Sequence, residues 1–289
     1  MKNCIFSTKA VLSLLTVVAF ISCNGNDPDK TGGLATVNNN FAAKPFSVGT
    51  DKAVYFSQGT LQYRASTNTW QFAQNQYDTI GAENVNIAAS YDGWIDMFGW
   101  GTSGFNDKYP FKTSKEASDY GDGEKDIAGT EYDWGVYNKI NNGGNQKGLW
   151  RTLTSNEWLF LFRSRTDAAK LYGLATVDGV IGCIVLPDGW TNPNGFSFKP
   201  QSTDWSTNTF SASDWKELEA NGAVFLPAEG SRSGLEVINM DGGYYWSASY
   251  YQTVGARAIY FNCSRSEVMV DGWNMRYQGR LVRLVQDVK

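Results

Sequence analysis

Histidine is absent from all 289 residues. It is the commonest general base and a frequent metal ligand. Its absence removes Ser-His-Asp and Cys-His nucleophile systems and every His-containing zinc site. Cysteine is scarce, with Cys4, Cys23, Cys183 and Cys263 making the full set. Cys4 and Cys23 fall in or beside an N-terminal apolar segment, so a four-Cys zinc site in the folded part is excluded as well. Cys183 and Cys263 both sit in apolar, strand-like runs, where buried thiols are common. They also offer one disulfide in an oxidising compartment. Proline is sparse and glycine frequent, at 7 and 30 residues. With aromatics spread along the whole chain, that mix favours many short strands and turns over long helices. No basic block is present and the formal net charge is −4, which argues against nucleic acid or an anionic lipid surface as a partner.

The first 23 residues carry the most specific signal. Lys2 and Lys9 give a short positive start, and Ala10 to Ile21 is apolar except for Ser13 and Thr16. The run is shorter than the roughly 18 residues a membrane span needs and has the length of a secretory signal core. It ends at Ser22 and Cys23, and polar sequence follows at once (Asn24, Gly25, Asn26, Asp27). A small residue before a Cys at this point resembles the lipobox of bacterial lipoproteins, in which that Cys is lipidated and becomes the first residue of the mature chain. The expectation is a signal peptide over 1–22, a lipid anchor on Cys23 and a polar tether over 23–45. The alternative is an ordinary cleaved signal with Cys23 incidental. Loss of Lys2 and Lys9 with the signal takes the formal charge from −4 to −6. Asp27 and Asp29 resemble the acidic surface-export signals of Bacteroidota lipoproteins. The implied location is the outer membrane or cell surface, with membrane contact through lipid alone.

One domain over 46–289 is expected from the remaining length. Phe46–Val48, Ala53–Phe56, Leu61–Tyr63 and Trp70–Ala73 read as strands, the last two as a hairpin. Residues 91–101 are aromatic and Gly-rich, and 102–148 read as long loops pinned by Trp134 and Tyr137. A helix is expected over 154–163, with Thr154 and Glu157 as a capping box and an apolar stripe of Trp158, Leu159, Leu161 and Phe162. A further helical turn is expected between Asp167 and Tyr172. Asp178-Gly179 between Leu174–Val177 and Val180–Leu186 predicts a type I′ hairpin. A second short helix is expected from Ser213 to Ala220, then a buried strand at Ala223–Pro227. Tyr244–Trp246, Ala258–Cys263 and Leu281–Val285 complete the strand set.

Four segments in order carry a family likeness: WRTLTSNEW at 150–158, GAVFLPA at 222–228, GYYWSAS at 243–249 and GRLVRLV at 279–285. Together they resemble gut Bacteroidota lipoproteins akin to the Fibrobacter succinogenes major paralogous domain. That group is related to the C-type-lectin-like fold, shared by formylglycine-generating enzymes and by retroelement-diversified variable proteins. The resemblance implies an α+β, C-type-lectin-like domain of twisted antiparallel sheets, two short helices and long loops. It also implies a binding surface on the last β region, between Ser247 and Arg276. Tyr250, Tyr251, Gln252, Arg257, Tyr260, Asn262, Arg265, Glu267, Asp271, Trp273, Asn274 and Arg276 are its candidate ligand-binding residues. Such a mixture supplies rigid aromatic area with adaptable hydrogen bonds, although Tyr is favoured in strands for packing reasons too. Tyr245, Trp246, Val282 and Leu284 are expected in the core. The layout of Tyr244–Val285 also resembles the variable stretch of retroelement-diversified proteins.

The function this implies is binding of a glycan or protein ligand at the cell surface, without catalytic residues, cofactor or metal. A structural or adhesin-like subunit of a surface assembly is the alternative, its exposed aromatics forming a protein contact. Two enzymatic readings are weaker. A formylglycine-generating-type oxidase would need Cys183 and Cys263 with copper, yet neither has a charged neighbour to lower its pKa. A carboxylate glycosidase would draw on Asp92, Asp96, Asp133 or Glu157. The Asp- and Asn-rich loops at 102–145 match no known calcium-loop spacing.

Overall fold

The computed structural model describes residues 42–263 and 268–289. Cys23, the tether up to residue 41, Arg265 and Glu267 lie outside the described residues. The strands and helices run β1 (Phe46–Gly49), β2 (Lys52–Phe56), β3 (Leu61–Arg64), β4 (Thr69–Phe72), α1 (Trp134–Tyr137), β5 (Arg151–Thr152), α2 (Ser155–Leu159), β6 (Tyr172–Val177), β7 (Val180–Val185), β8 (Thr209–Phe210), α3 (Ala212–Ala220), β9 (Val224–Pro227), β10 (Ser231–Ser233), β11 (Glu236–Ile238), β12 (Gly242–Tyr251), β13 (Gly255–Asn262), β14 (Met269–Met275) and β15 (Leu284–Asp287). The architecture is mixed, with largely antiparallel strands in several small sheets and, among the described residues, three short helices.

One sheet has the order β1-β2-β15-β5, a second β8-β6-β7-β9 and a third β12-β13-β14. β3-β4 and β10-β11 are separate hairpins. The first sheet ties the two ends of the domain together, since Val285 lies opposite both Phe56 and Arg151. Ala42 already belongs to the fold: it is buried, and its N–H donates to the Phe56 carbonyl at 2.7 Å. Ala42, expected in the polar tether, is therefore part of the fold four residues before the expected start at 46, because a small apolar residue covers the end of β2.

Local sequence signals explain most elements. The Thr154 hydroxyl accepts from the Glu157 N–H, and the Glu157 carboxylate accepts from the Thr154 N–H, completing the capping box of α2. The helix expected to run straight to 163 instead widens into a π-turn over Phe160–Ser164, where the Arg165 N–H donates to the Phe160 carbonyl at 2.9 Å. α3 begins at Ala212, capped by Ser211 and Asp214, and buries Trp215 and Leu218. Asp178 (φ 46°) and Gly179 (φ 83°) form the tight turn between β6 and β7, with Val177 opposite Val180. That is the left-handed pair a type I′ turn requires. α1 is a single turn that the loop-like 102–148 stretch concealed. The Asp133 carboxylate caps it, and Trp134 anchors it in the core.

Two large apolar clusters fill the interior. One gathers Phe46, Phe56, Trp158, Phe162, Tyr245 and Phe261 beneath the terminal sheet. The other gathers Trp70, Phe98, Trp100, Trp134, Trp150 and Trp246. A smaller one lies under α3. Tyr245, Trp246, Val282 and Leu284 are fully buried, as expected. Among the described residues no helix is long and apolar enough to cross a membrane.

The cap of α2 also reaches the terminal sheet, because Glu157 accepts from Arg151 of β5 at 2.9 Å and pairs with Lys52 of β2 at 2.6 Å. Thr154→Ala removes the hydroxyl and is expected to cost about 1 kcal/mol of stability, whereas Thr154→Ser retains it. Urea denaturation measures this. An unchanged midpoint for Thr154→Ala would show that the cap contributes nothing.

Candidate functional site

The expected recognition face is the sheet β12-β13-β14. Two register shifts shape it, one between Trp246 and Tyr250 on β12 and one between Met269 and Gly272 on β14, opposite Tyr260 and Ala258. Such bulges re-aim side chains and deepen twist. Alternation along the strands divides the candidate residues between the two sides of the sheet.

Tyr251, Arg257 and Trp273 form one surface cluster, with Trp273 exposed and the other two half-buried. Tyr251 lies opposite Gly255, and Arg257 lies opposite Trp273, which puts all three on one side. The Tyr251 and Trp273 ring centroids are 5.0 Å apart, and the Arg257 guanidinium carbon sits 4.0 Å from the Tyr251 centroid. Arg257 also donates to the Asp271 carbonyl at 2.7 Å, which fixes it across both strands. Trp273 is 44 % exposed. Aromatic rings in tilted contact, beside an ordered guanidinium, make a rigid contact surface that loses little entropy on binding.

The other candidates have different surroundings. Tyr250, 40 % exposed, and Asn274 both pair with Ala256 and so lie on the opposite side. Tyr260 also faces that side and stacks on Tyr244, with centroids 6.1 Å apart. Asn262 ends β13 opposite Gly242, and Gln252 occupies the β12–β13 turn at φ 53°. Asp271 is exposed and engages the cluster through its carbonyl. Arg276 corrects the expectation most sharply. It is buried, lies 4.8 Å from the Trp100 ring centroid and donates to the Gly255 carbonyl at 2.9 Å. It supports the surface from behind, since its guanidinium also donates to the Gln252 carbonyl at 3.3 Å.

The 102–148 stretch borders this face, which composition gave no means of locating. The Asp126 carboxylate accepts from the Tyr250 N–H at 2.9 Å, and Glu124 accepts from the Thr253 hydroxyl at 2.7 Å.

The Cys183–Cys263 disulfide is not formed. Cys183 is a free, fully buried thiol on β7, and burial pushes its pKa up to about 12. A thiol held protonated in this way is a poor nucleophile and a poor metal ligand. Among the described residues no group of three or more His, Cys, Asp or Glu is placed to hold a metal ion. The four candidate carboxylates have four separate settings. Asp92 accepts from the Ser66 hydroxyl at 2.6 Å, Asp133 caps α1 and accepts from Thr152, and Glu157 is ion-paired to Arg151. Asp96 is fully buried against a partner the sequence did not point to, Glu229.

Asp96 and Glu229 are both fully buried and lie close enough to shift each other's pKa, while Asp96 Oδ2 and Glu229 Oε1 have no donor from the rest of the described protein. The Asn84 amide donates to Asp96 at 2.8 Å, and the N–H groups of Ile80 and Gly81 donate to Glu229 at 2.8 and 2.9 Å. Burial raises both carboxyls, Asp96 to about 7 and Glu229 well above its usual range. Two adjacent buried carboxyls cannot both ionise cheaply, so the pair holds a proton that the unfolded chain releases at lower pH. No family model, curated protein or solved structure matches this chain.

The sign of the pH effect follows from the raised values. The pair's contribution to stability is complete below about pH 4 and is lost as pH rises through about 7. Asp133, raised by burial to about 6, acts in the same sense. Glu157 and Asp287, held low by Arg151, act oppositely and weaken the fold only in acid. The melting temperature is therefore expected to fall between about pH 5.5 and about pH 8.5, by the equivalent of a few kcal/mol. Asp96→Asn should flatten that decline. A wild-type melting temperature that holds or rises over the same range would show that no such proton is retained.

Proposed function

We propose that this chain is a surface-displayed lipoprotein, anchored through Cys23, whose C-type-lectin-like domain binds a glycan or protein ligand with its C-terminal sheet. The observation that carries the reading is the Tyr251–Arg257–Trp273 cluster, in which two rings in tilted contact and an ordered guanidinium are held at the surface by the strands, with Trp273 exposed and the other two half-buried. Nothing in the fold requires these rings to be outside. Their neighbours on the same side of β13, Ile259 and Phe261, enter the core. The two capped helices and the late three-stranded sheet support the C-type-lectin-like assignment drawn from the four motifs. Retroelement diversification of this face fits the same layout, because the cluster residues can change without disturbing the core.

A Tyr251→Ala, Trp273→Ala double variant should keep the wild-type melting temperature within about 1 kcal/mol of stability and lose ligand in a screen of immobilised glycans and bacterial surface proteins. Unfolding of the variant would place the rings in the core, and retained binding would place the site elsewhere.

The anchor is tested separately. In cells making Cys23→Ser, the domain should move from the membrane fraction to the soluble fraction. Unchanged fractionation would remove the lipid from the proposal. The structural-subunit alternative predicts a stable homo-oligomer that buries the cluster, which solution mass measurement distinguishes from a monomer with the cluster free.

A further inference from the structure

A groove of about 620 Å³ opens on a different part of the surface and shares no lining residue with the C-terminal sheet. Its size is within the roughly 300–1,000 Å³ typical of small-molecule sites. Ile87, Tyr91, Phe111 and Leu235 supply its apolar surface, and Asn86, Ser90, Asp92 and Thr113 supply its polar groups.

Both walls are fixed to one buried segment. On one side, the turn Gly81–Val85 is held by Asn84, whose side-chain carbonyl accepts the Asp96 and Met97 N–H groups at 2.9 Å each. Glu229 secures the same turn through the Ile80 and Gly81 N–H groups. On the other side stands the β10–β11 hairpin. Arg232, fully buried, donates to the Met97 carbonyl at 3.3 Å and to the Gly234 carbonyl at 3.1 Å. Gly234 is next to Leu235 at the hairpin tip, and Leu235 is 66 % exposed. The most exposed large apolar side chain among the described residues is thus mounted on a tip rooted by a buried guanidinium. Phe111 is likewise set in place by parallel stacking on Tyr109, with centroids 5.3 Å apart and planes 3° from parallel.

The chemistry of the lining narrows the ligand. It contains no Lys or Arg, so nothing there recognises phosphate, sulfate or carboxylate. It contains one carboxylate, Asp92, so it lacks the acid pair that glycoside hydrolysis requires. Asp92 uses one oxygen on the Ser66 hydroxyl, while its other oxygen and the hydroxyls of Ser90 and Thr113 have no protein partner among the described residues. Aromatic faces beside uncommitted hydroxyl and carboxylate oxygens match a molecule with apolar C–H faces and a rim of hydroxyls.

We propose that this groove is a binding site for a neutral saccharide, with Tyr91 and Phe111 as ring platforms and Asp92, Asn86, Ser90 and Thr113 as hydroxyl partners. It is separate from the C-terminal recognition face and stands whether or not that face binds anything.

Saturation-transfer NMR with cellobiose, lactose and N,N′-diacetylchitobiose tests it, using the intact domain. At least one of the three should show transfer, with its dissociation constant raised about tenfold or more by Phe111→Ala and by Leu235→Asp. Leu235→Asp alters an exposed tip and keeps the test valid even where Phe111→Ala fails to fold. The Tyr251→Ala, Trp273→Ala variant should bind the sugar as wild type does. The proposal is overturned by silence from all three sugars, by wild-type affinity in Leu235→Asp, or by preference for sialyllactose over lactose.

Discussion

The interior of this domain is organised by residues 276–285, which return from the C-terminal sheet through the middle of the fold before entering β15. A strand-like segment surrounded by protein must have its N–H and C=O groups taken up on every side. Arg276 accepts from the Trp100 N–H, and Phe98 and Arg280 exchange both of their backbone bonds. Leu281 donates to Tyr244 and accepts from Trp246. Val282 accepts from Leu61, and Leu284 accepts from Ser57. β10 joins the same segment through Arg232 and Gly279. The hairpins, the 97–100 segment, the C-terminal sheet and the terminal sheet thus meet on one stretch of backbone. None of them would keep its position if that stretch were displaced.

The same segment brings charge into the core. Arg276, Arg280 and Arg283 are all buried, and burial lowers Arg280 and Arg283 to about 10, which leaves them protonated at neutral pH. Their partners are dipoles and ring faces. Arg280 lies between the Tyr244 and Trp246 rings at 5.1 and 5.0 Å, and Arg283 donates to the Phe225 carbonyl and to Gln76. Carbonyl oxygens and aromatic quadrupoles distribute the desolvation cost over groups that are already fixed by the fold. The buried acids follow the opposite course, since Asp96 and Glu229 retain a proton instead of seeking a cation. Arginine cannot shed its charge at neutral pH and a carboxyl can, so each sign settles into the interior by the route its chemistry allows.

Local structure was legible in the sequence wherever it depended on residues close together. Thr154 with Glu157, and Asp178 with Gly179, act within four positions and produced the cap and turn expected of them. The core placement of Tyr245, Trp246, Val282 and Leu284 followed from their apolar character. The candidate site was legible only in part. Alternation puts Tyr250 and Tyr251, or Trp273 and Asn274, on opposite faces, but the sequence did not show which face meets the core. Arg276 looked like a surface residue because charge predicts exposure, and only the Trp100 face and the Gly255 carbonyl explain its burial. The Asp96–Glu229 pair and the groove walls rest on contacts between residues far apart in sequence, which no local pattern encodes. The absence of a Cys183–Cys263 bond has the same origin: a strand-like run around each cysteine says nothing about which strands become neighbours.

The end of β14 shows how one segment can serve both the buried core and the exposed surface. Trp273 points to solvent, and three residues later Arg276 is enclosed beneath Trp100. Arg276 holds the carbonyls of Gln252 and Gly255, the two ends of the turn beside Tyr251. The surface cluster is therefore mounted directly on the organising segment, with no flexible linker between. Its side chains contribute little to the core, so their identity can change without disturbing the packing. Their positions are not free, since the backbone beneath them is fixed by a buried cation. A surface of this kind holds its geometry constant while its side chains vary, which is what the proposed binding role would require of it.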